Sequence, residues 1–343
     1  MSAVVCPELF LLIRLAGKIY KMPPLRPINS KFNLPKFLRI ASNNNVLGYV
    51  LDGIEQGTTS RREEDAYLLC LKEAVNRKIA KFRNTIDCLN KVLGEDSYLV
   101  LKALREQLIP FNDLDILVKD LNQAGRLLED SGFKVYEQEK YVKGYSKQGY
   151  LRISMYGKIA WRSKICVGER FAWMNPRRME MFGILITVPS VETDILTLIA
   201  HSAFETFQIT FNDFLCVCQL ARQADWKSIK REVTRNGWYD LFIETIGVLN
   251  GLHFEIYGEP SPITEFIRYT KPVRLELPYI FPLSVIVSSL AHKRITRLLK
   301  LPFYLPSYVP VRLNLKHPIL ASVCIKTALL LRKCLKPYFR VST

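Results

Sequence analysis

The chain has no Cys-x-x-Cys pair, and its four histidines (201, 253, 292 and 317) fall outside zinc-finger spacing. A structural zinc site of the common kinds is therefore not expected. Long apolar runs are missing as well. Residues 277–290 are largely apolar but number fourteen and include Pro278 and Pro282, short of the ~20 that a spanning helix needs. Glu8-Leu-Phe-Leu-Leu-Ile-Arg14 is shorter still and carries an acid ahead of its apolar stretch, unlike an export signal. The expectation is a soluble, cytoplasmic protein. Acids are scarce toward the end: from 271 to 343 a single one, Glu276, stands against thirteen Lys or Arg. Such a basic stretch suits phosphate-rich partners, RNA or DNA among them, or an anionic membrane surface, and equally a solvated surface. No internal repeat or low-complexity segment is visible.

At 343 residues the chain suggests about two domains. Its 49% hydrophobic and 24% charged content is that of a folded protein, and the net charge is +17. The eight cysteines lie mainly in apolar settings and read as buried, reduced thiols.

Along the chain, an N-terminal helical region (1–94) has partly helical spacing over 37–54. It then carries a long amphipathic helix from Arg62 to Leu93, closed by Gly94. A mixed α/β segment (95–188) follows: a strand over 97–101, a helical turn over 103–107, and a strand over 111–118. Asp120 caps a helix that stops at Gly132, a strand falls at 133–136, and 150–161 supplies another strand or a hairpin. Helices capped by Ser190 and Asp225, with two more over 211–222 and 239–252, form a helical domain (189–270). Residues 271–343 carry eight of the eighteen prolines. The expected class is α+β, a mixed sheet flanked by helices, with N-terminal helices and a C-terminal helical domain.

Chemistry concentrates at Asp113-Leu114-Asp115-Ile116. In a strand the two aspartates share one face while Leu114 and Ile116 turn inward. Two neighbouring carboxylates are unfavourable without a cation between them, and Mg²⁺ is typically held by one or two carboxylates plus substrate phosphates. A half-exposed strand with two solvated acids fits the same residues.

Val100-Leu-Lys-Ala-Leu104 followed by Asp113-Leu-Asp115-Ile-Leu-Val118 resembles the nucleotidyltransferase (polymerase-β-like) superfamily. Within it, the chain is similar to the uncharacterised nucleotidyltransferases related to the minimal and abortive-infection types. Pro189-Ser190, His201, Asp213 and Asp225-Trp226 fit the helical part of that pattern, and the likeness covers roughly residues 60–255. It implies metal-assisted transfer of a nucleotide from a nucleoside triphosphate to a hydroxyl, with Mg²⁺ or Mn²⁺ on Asp113 and Asp115. The acceptor is left open between protein, RNA and a small molecule. Lys102-Ala103-Leu104 stands where the superfamily has a glycine-bearing phosphate turn, with Lys102, Ala103 and Arg105 near the nucleotide. Ser154 falls where the superfamily's third carboxylate is expected, and Glu137 or Glu139 is an alternative acid.

Other readings of these residues stand beside the resemblance. Lys102 and Arg105 would neutralise the aspartates without any nucleotide. His201 fits a structural histidine, Asp213 a helix cap, and Trp161 and Trp226 core aromatics. Lys293, Arg294, Arg297 and Lys300 form one basic helical face. The missing glycine and third acid also fit a degenerate relative that binds nucleotide, nucleic acid or protein. Half of a toxin–antitoxin pair follows by family analogy alone.

Overall fold

The computed structural model describes residues 34–47, 62–106, 113–161 and 164–281 (274 and 276 excepted), with Leu9, Leu12 and Ile13. The basic face at 293–300, the rest of the proline-containing end, and Cys6, Cys324 and Cys334 lie outside the described residues. So does the later part of the helical spacing expected over 37–54.

Before the sheet, the described residues include the helices α1 (Leu34–Asn43) and α2 (Arg62–Leu93). On α2, Phe82, Ile86 and Leu89 recur at four and three residues and are fully buried, the spacing of one helical stripe. They pack on the sheet through Leu114, Ile116, Ile153 and Met155. Thr85, between them, accepts the Leu151 N–H at 2.9 Å and donates to the Lys81 carbonyl at 2.7 Å. One hydroxyl thus ties the helix to the entry of a central strand.

The sheet comprises β1 (Tyr98–Val100), β2 (Asp113–Val118), β3 (Lys134–Gln138), β4 (Val142–Ser146) and β5 (Arg152–Tyr156). Their spatial order is β1-β2-β5-β4-β3. β2 and β5 are parallel neighbours, while the β1–β2, β4–β5 and β3–β4 pairs are antiparallel. The β2–β5 crossover passes through α3 (Leu121–Asp130), whose cap Asp120 accepts from the N–H groups of Asn122 and Gln123, both at 2.9 Å. This is the expected cap.

Beyond the sheet come two-residue strands β6 (Ala160–Trp161) and β7 (Lys164–Ile165), a short α4 (Glu169–Ala172), and a hairpin of β8 (Arg177–Met181) and β9 (Ile184–Val188). The strand or hairpin expected over 150–161 therefore divides into β5 and β6. The β8–β9 hairpin and β4 have no counterpart in the sequence reading.

The helical region follows as α5 (Val191–Ala200), a π-helical turn (His201–Thr206), α6 (Phe211–Ala221), α7 (Trp226–Arg235) and α8 (Tyr239–Tyr257). A two-residue strand β10 (Gln208–Ile209) pairs with β11 (Tyr279–Ile280). Ser190 and Asp225 cap α5 and α7 as expected. The α5 helix is buried all round rather than along one stripe, because it sits among α6, α7 and α8. The described architecture is α+β. No described helix is long and apolar enough to cross a membrane. Cys166, Cys216 and Cys218 are buried free thiols, whereas Cys70 is exposed on α2, against the expectation of general burial.

Candidate active site

Alternation along β2 sends Leu114, Ile116 and Val118 into the core shared with α2. Asp113, Asp115 and Leu117 turn to the opposite face. Asp113 is exposed at the rim, while Asp115 is 8% exposed. The parallel register puts Arg152 beside Asp113, Ser154 beside Asp115 and Tyr156 beside Leu117. Ser154 therefore occupies the strand position next to the buried aspartate, on the same face.

Lys102 reaches this face through an unusual turn. The β1–β2 ladder continues to a Leu101 N–H bond to the Asp115 carbonyl at 2.9 Å, and the next residue, Lys102, turns left-handed with φ 56°. That conformation costs a lysine roughly 1–2 kcal/mol and a glycine almost nothing. The chain thus makes the turn without the glycine. The buried Lys102 ammonium ion-pairs with Asp115. Ala103 is fully buried in the core, so its side chain does not face the site. Arg105 lies in the 3₁₀ turn Ala103–Glu106, and its side chain is outside the description.

The pair is further dressed by tyrosines. Tyr156 donates to Asp115. Burial first, and then the charge of Asp115, holds its phenol far above the ordinary range. Tyr136 hydrogen-bonds Ser154, and the Arg152 guanidinium lies 5.5 Å from the centre of its ring. Tyr136 is the extra residue at an irregularity between β3 and β4. It crosses β4 over Gly144, where a Cβ would stand 2.6 Å from the tyrosine Cζ. Any larger residue at 144 displaces that ring. Burial and then the Asp115 charge raise the Asp113 pKa; Lys102 and Arg152 oppose them, and Glu205 adds a further upward push.

Glu137 pairs with Gly144, which pairs with Ser154. This leaves Glu137 three strand spacings, about 14 Å of backbone, from Asp115. Glu139 lies beyond β3, and the two sequence-named alternative acids therefore stand away from the pair. Asp213 accepts from the Thr210 N–H at 3.0 Å and from its hydroxyl at 2.7 Å, closing a capping box on α6. Its position is explained by the cap. Trp161 and Trp226 are each 6% exposed, core aromatics as the simpler reading had it.

Sequence reasoning missed Glu205. It lies on the π-helical turn, where His201 Nδ1 meets its Oε2 at 2.6 Å. Desolvation works to raise its pKa, but His201, then Lys102, hold it down at about 2. The four-residue His–Glu spacing was the available signal.

A mixed five-stranded sheet that presents two aspartates beside a short turn, followed by helices, is a nucleotidyltransferase-type arrangement. The model of the uncharacterised nucleotidyltransferase family matches residues 30–252. That span exceeds half of the chain and contains every site residue above, and the chain belongs to this family. No curated protein and no solved structure matches it.

Proposed function

We propose that the protein transfers a nucleoside monophosphate from a nucleoside triphosphate to an acceptor hydroxyl, using a divalent cation held by Asp113 and Asp115. The observation that carries this reading is the pair itself: two carboxylates on one strand face, one at the rim and one buried, in a chain of this family. Carboxylate oxygens are hard donors that suit Mg²⁺ or Mn²⁺. Among the described residues no three His, Cys, Asp or Glu side chains are grouped to hold a metal, so phosphate oxygens and water would complete the shell. When bound, the cation supplies positive charge against the triphosphate and polarises the reacting phosphoryl group.

The chain's own groups do the rest. Lys102 and Tyr156 hold the Asp115 carboxylate in place from two sides. Arg152, steadied on the Tyr136 ring, brings a second positive charge to the rim, where a triphosphate would approach. The transfer balances without a further reactant. The acceptor oxygen bonds to the α-phosphorus, the bridging α–β oxygen departs with pyrophosphate, and the hydroxyl proton passes to solvent. The acceptor is a protein side chain, an RNA end or a small molecule.

A second reading, nucleotide binding without transfer, is favoured by Ser154: its neutral hydroxyl lies beside Asp115 where an acid would serve the chemistry. Incubation with each of the four α-labelled nucleoside triphosphates and cell extract separates the two. Label moving to a macromolecule or metabolite, and lost in Asp113→Asn, supports transfer. Labelled nucleotide bound but never transferred supports the second reading. No labelling and no binding refutes both.

A further inference from the structure

We propose that the Lys102 ammonium is a built-in cation of the Asp113–Asp115 face, so that this face takes one divalent ion where two-metal sites take two. The inference rests on reading the two aspartates as the ligands of that ion. Two-metal sites hold their ions about 3.5–4 Å apart, and charges so close need shared negative ligands between them. Here that negative charge is short. Ser154, with a neutral hydroxyl, is the strand neighbour of Asp115 on this face. Among the described residues no three His, Cys, Asp or Glu side chains are grouped to hold a metal. Of the two carboxylates present, Asp115 already has a cation, because Lys102 Nζ is ion-paired with its Oδ2. Removing one carboxylate from a site and exchanging one divalent ion for an ammonium leaves the net charge unchanged. The neutral Ser154 and the cationic Lys102 therefore balance each other.

Two observations separate Lys102 from a lysine that settles on a nearby acid. The first is burial. The Lys102 side chain is 7% exposed and that of Asp115 12%, so the pair is largely shielded from the salt that screens surface pairs. A divalent ion that displaced the ammonium would leave the lysine charge buried without its partner, which is strongly unfavourable. The second is the backbone. Lys102 holds φ 56° directly after Leu101, whose N–H bonds the Asp115 carbonyl at 2.9 Å. This left-handed turn suits glycine and strains a lysine, and strained residues of this kind gather at functional sites. The chain is thus tied to Asp115 twice, through the Leu101 peptide and through the Lys102 side chain, and strand geometry fixes the ammonium in place. Asp113, by contrast, is exposed at the rim and open to an ion arriving from solvent. That ion is left with Asp113 and the remaining lone pairs of the Asp115 carboxylate.

Equilibrium dialysis of the full-length protein against Mn²⁺, with metal analysis of both compartments, counts the ions. Wild type is expected to bind one Mn²⁺ per chain at this face, and Asp113→Asn to lose it. Lys102→Met removes the ammonium and nearly keeps the side-chain length. It is expected to tighten Mn²⁺ binding by about tenfold or more, since a neighbouring like charge opposes the ion, while Lys102→Arg stays near wild type. Lys102→Gly, which suits the left-handed backbone, makes the same test should Lys102→Met not fold. Two Mn²⁺ per wild-type chain, both lost in Asp113→Asn, contradict the proposal. Affinity unchanged or weakened when the Lys102 charge is removed also overturns it, and makes the lysine a structural counter-ion alone. Either result leaves the aspartate site standing. Binding unaffected by Asp113→Asn, or no saturable binding, overturns the site itself and the proposal with it.

Discussion

Lys102 makes a turn with φ 56° and places a buried ammonium against Asp115, so one residue answers for both the absent glycine and the absent counter-ion. Removing one partner of a buried ion pair leaves the other charge uncompensated, at a cost of about 3–5 kcal/mol. Lys102→Met is therefore expected to lower unfolding free energy by about 3 kcal/mol in urea titrations. Millimolar Mn²⁺ should recover part of that loss, because a ligand of the folded state stabilises it by mass action. The aspartate face, the inward Leu114 and Ile116 and the Ser154 position were all legible from alternation. The left-handed lysine was not, because nothing local in Leu101-Lys102-Ala103 asks for that backbone. Nor was the role of Gly144, which depends on Tyr136 crossing from a different strand. Gly144→Val is expected to displace Tyr136 and Arg152 and to weaken triphosphate binding several-fold, with a smaller effect on Mn²⁺ affinity.

Helix starts were the most readable elements, since Asp120, Ser190 and Asp225 each accept backbone N–H groups within three residues of themselves. Asp213 belongs with them. Asp213→Ala is expected to cost about 1–2 kcal/mol in thermal or urea unfolding, the range of a lost cap, while nucleotide transfer in the folded fraction stays near wild type. A large loss of transfer at full stability would return Asp213 to the chemistry. Elements fixed by distant partners escaped the sequence. β4 is a short run broken by Gly144, and it becomes a strand by pairing on both edges with β3 and β5. The π-helical turn follows a helix buried all round, and residue pattern carries no mark of its wider bonding. Glu205 was missed with it.

Among the described residues, the β8–β9 hairpin and the helical region are joined by the pair of half-buried Arg177 on β8 and buried Asp194 on α5, 2.6 Å apart. Full burial outweighs the attraction of Arg177 and raises the Asp194 pKa to about 7, above the ~3.9 of an unfolded aspartate. The folded chain thus holds a proton that the unfolded chain has released. Asp194 contributes most to stability below about pH 4, and that contribution fades as pH rises to about 7. Unfolding free energies measured across this window are expected to fall more steeply for wild type than for Asp194→Asn. A parallel course for the two would contradict the assignment. None of this pairing is visible locally, because residues 177 and 194 meet only after the hairpin folds back.

The claim on which the rest depends is that the Asp113–Asp115 face binds a nucleoside triphosphate together with a divalent cation. Calorimetric titration of each nucleoside triphosphate into the protein, with and without Mg²⁺, needs no knowledge of the acceptor. Saturable binding that requires the cation, and that is lost in the Asp113→Asn, Asp115→Asn double variant while its melting transition remains cooperative, is the predicted result. Binding of equal strength without Mg²⁺, or undiminished in the double variant, would contradict it.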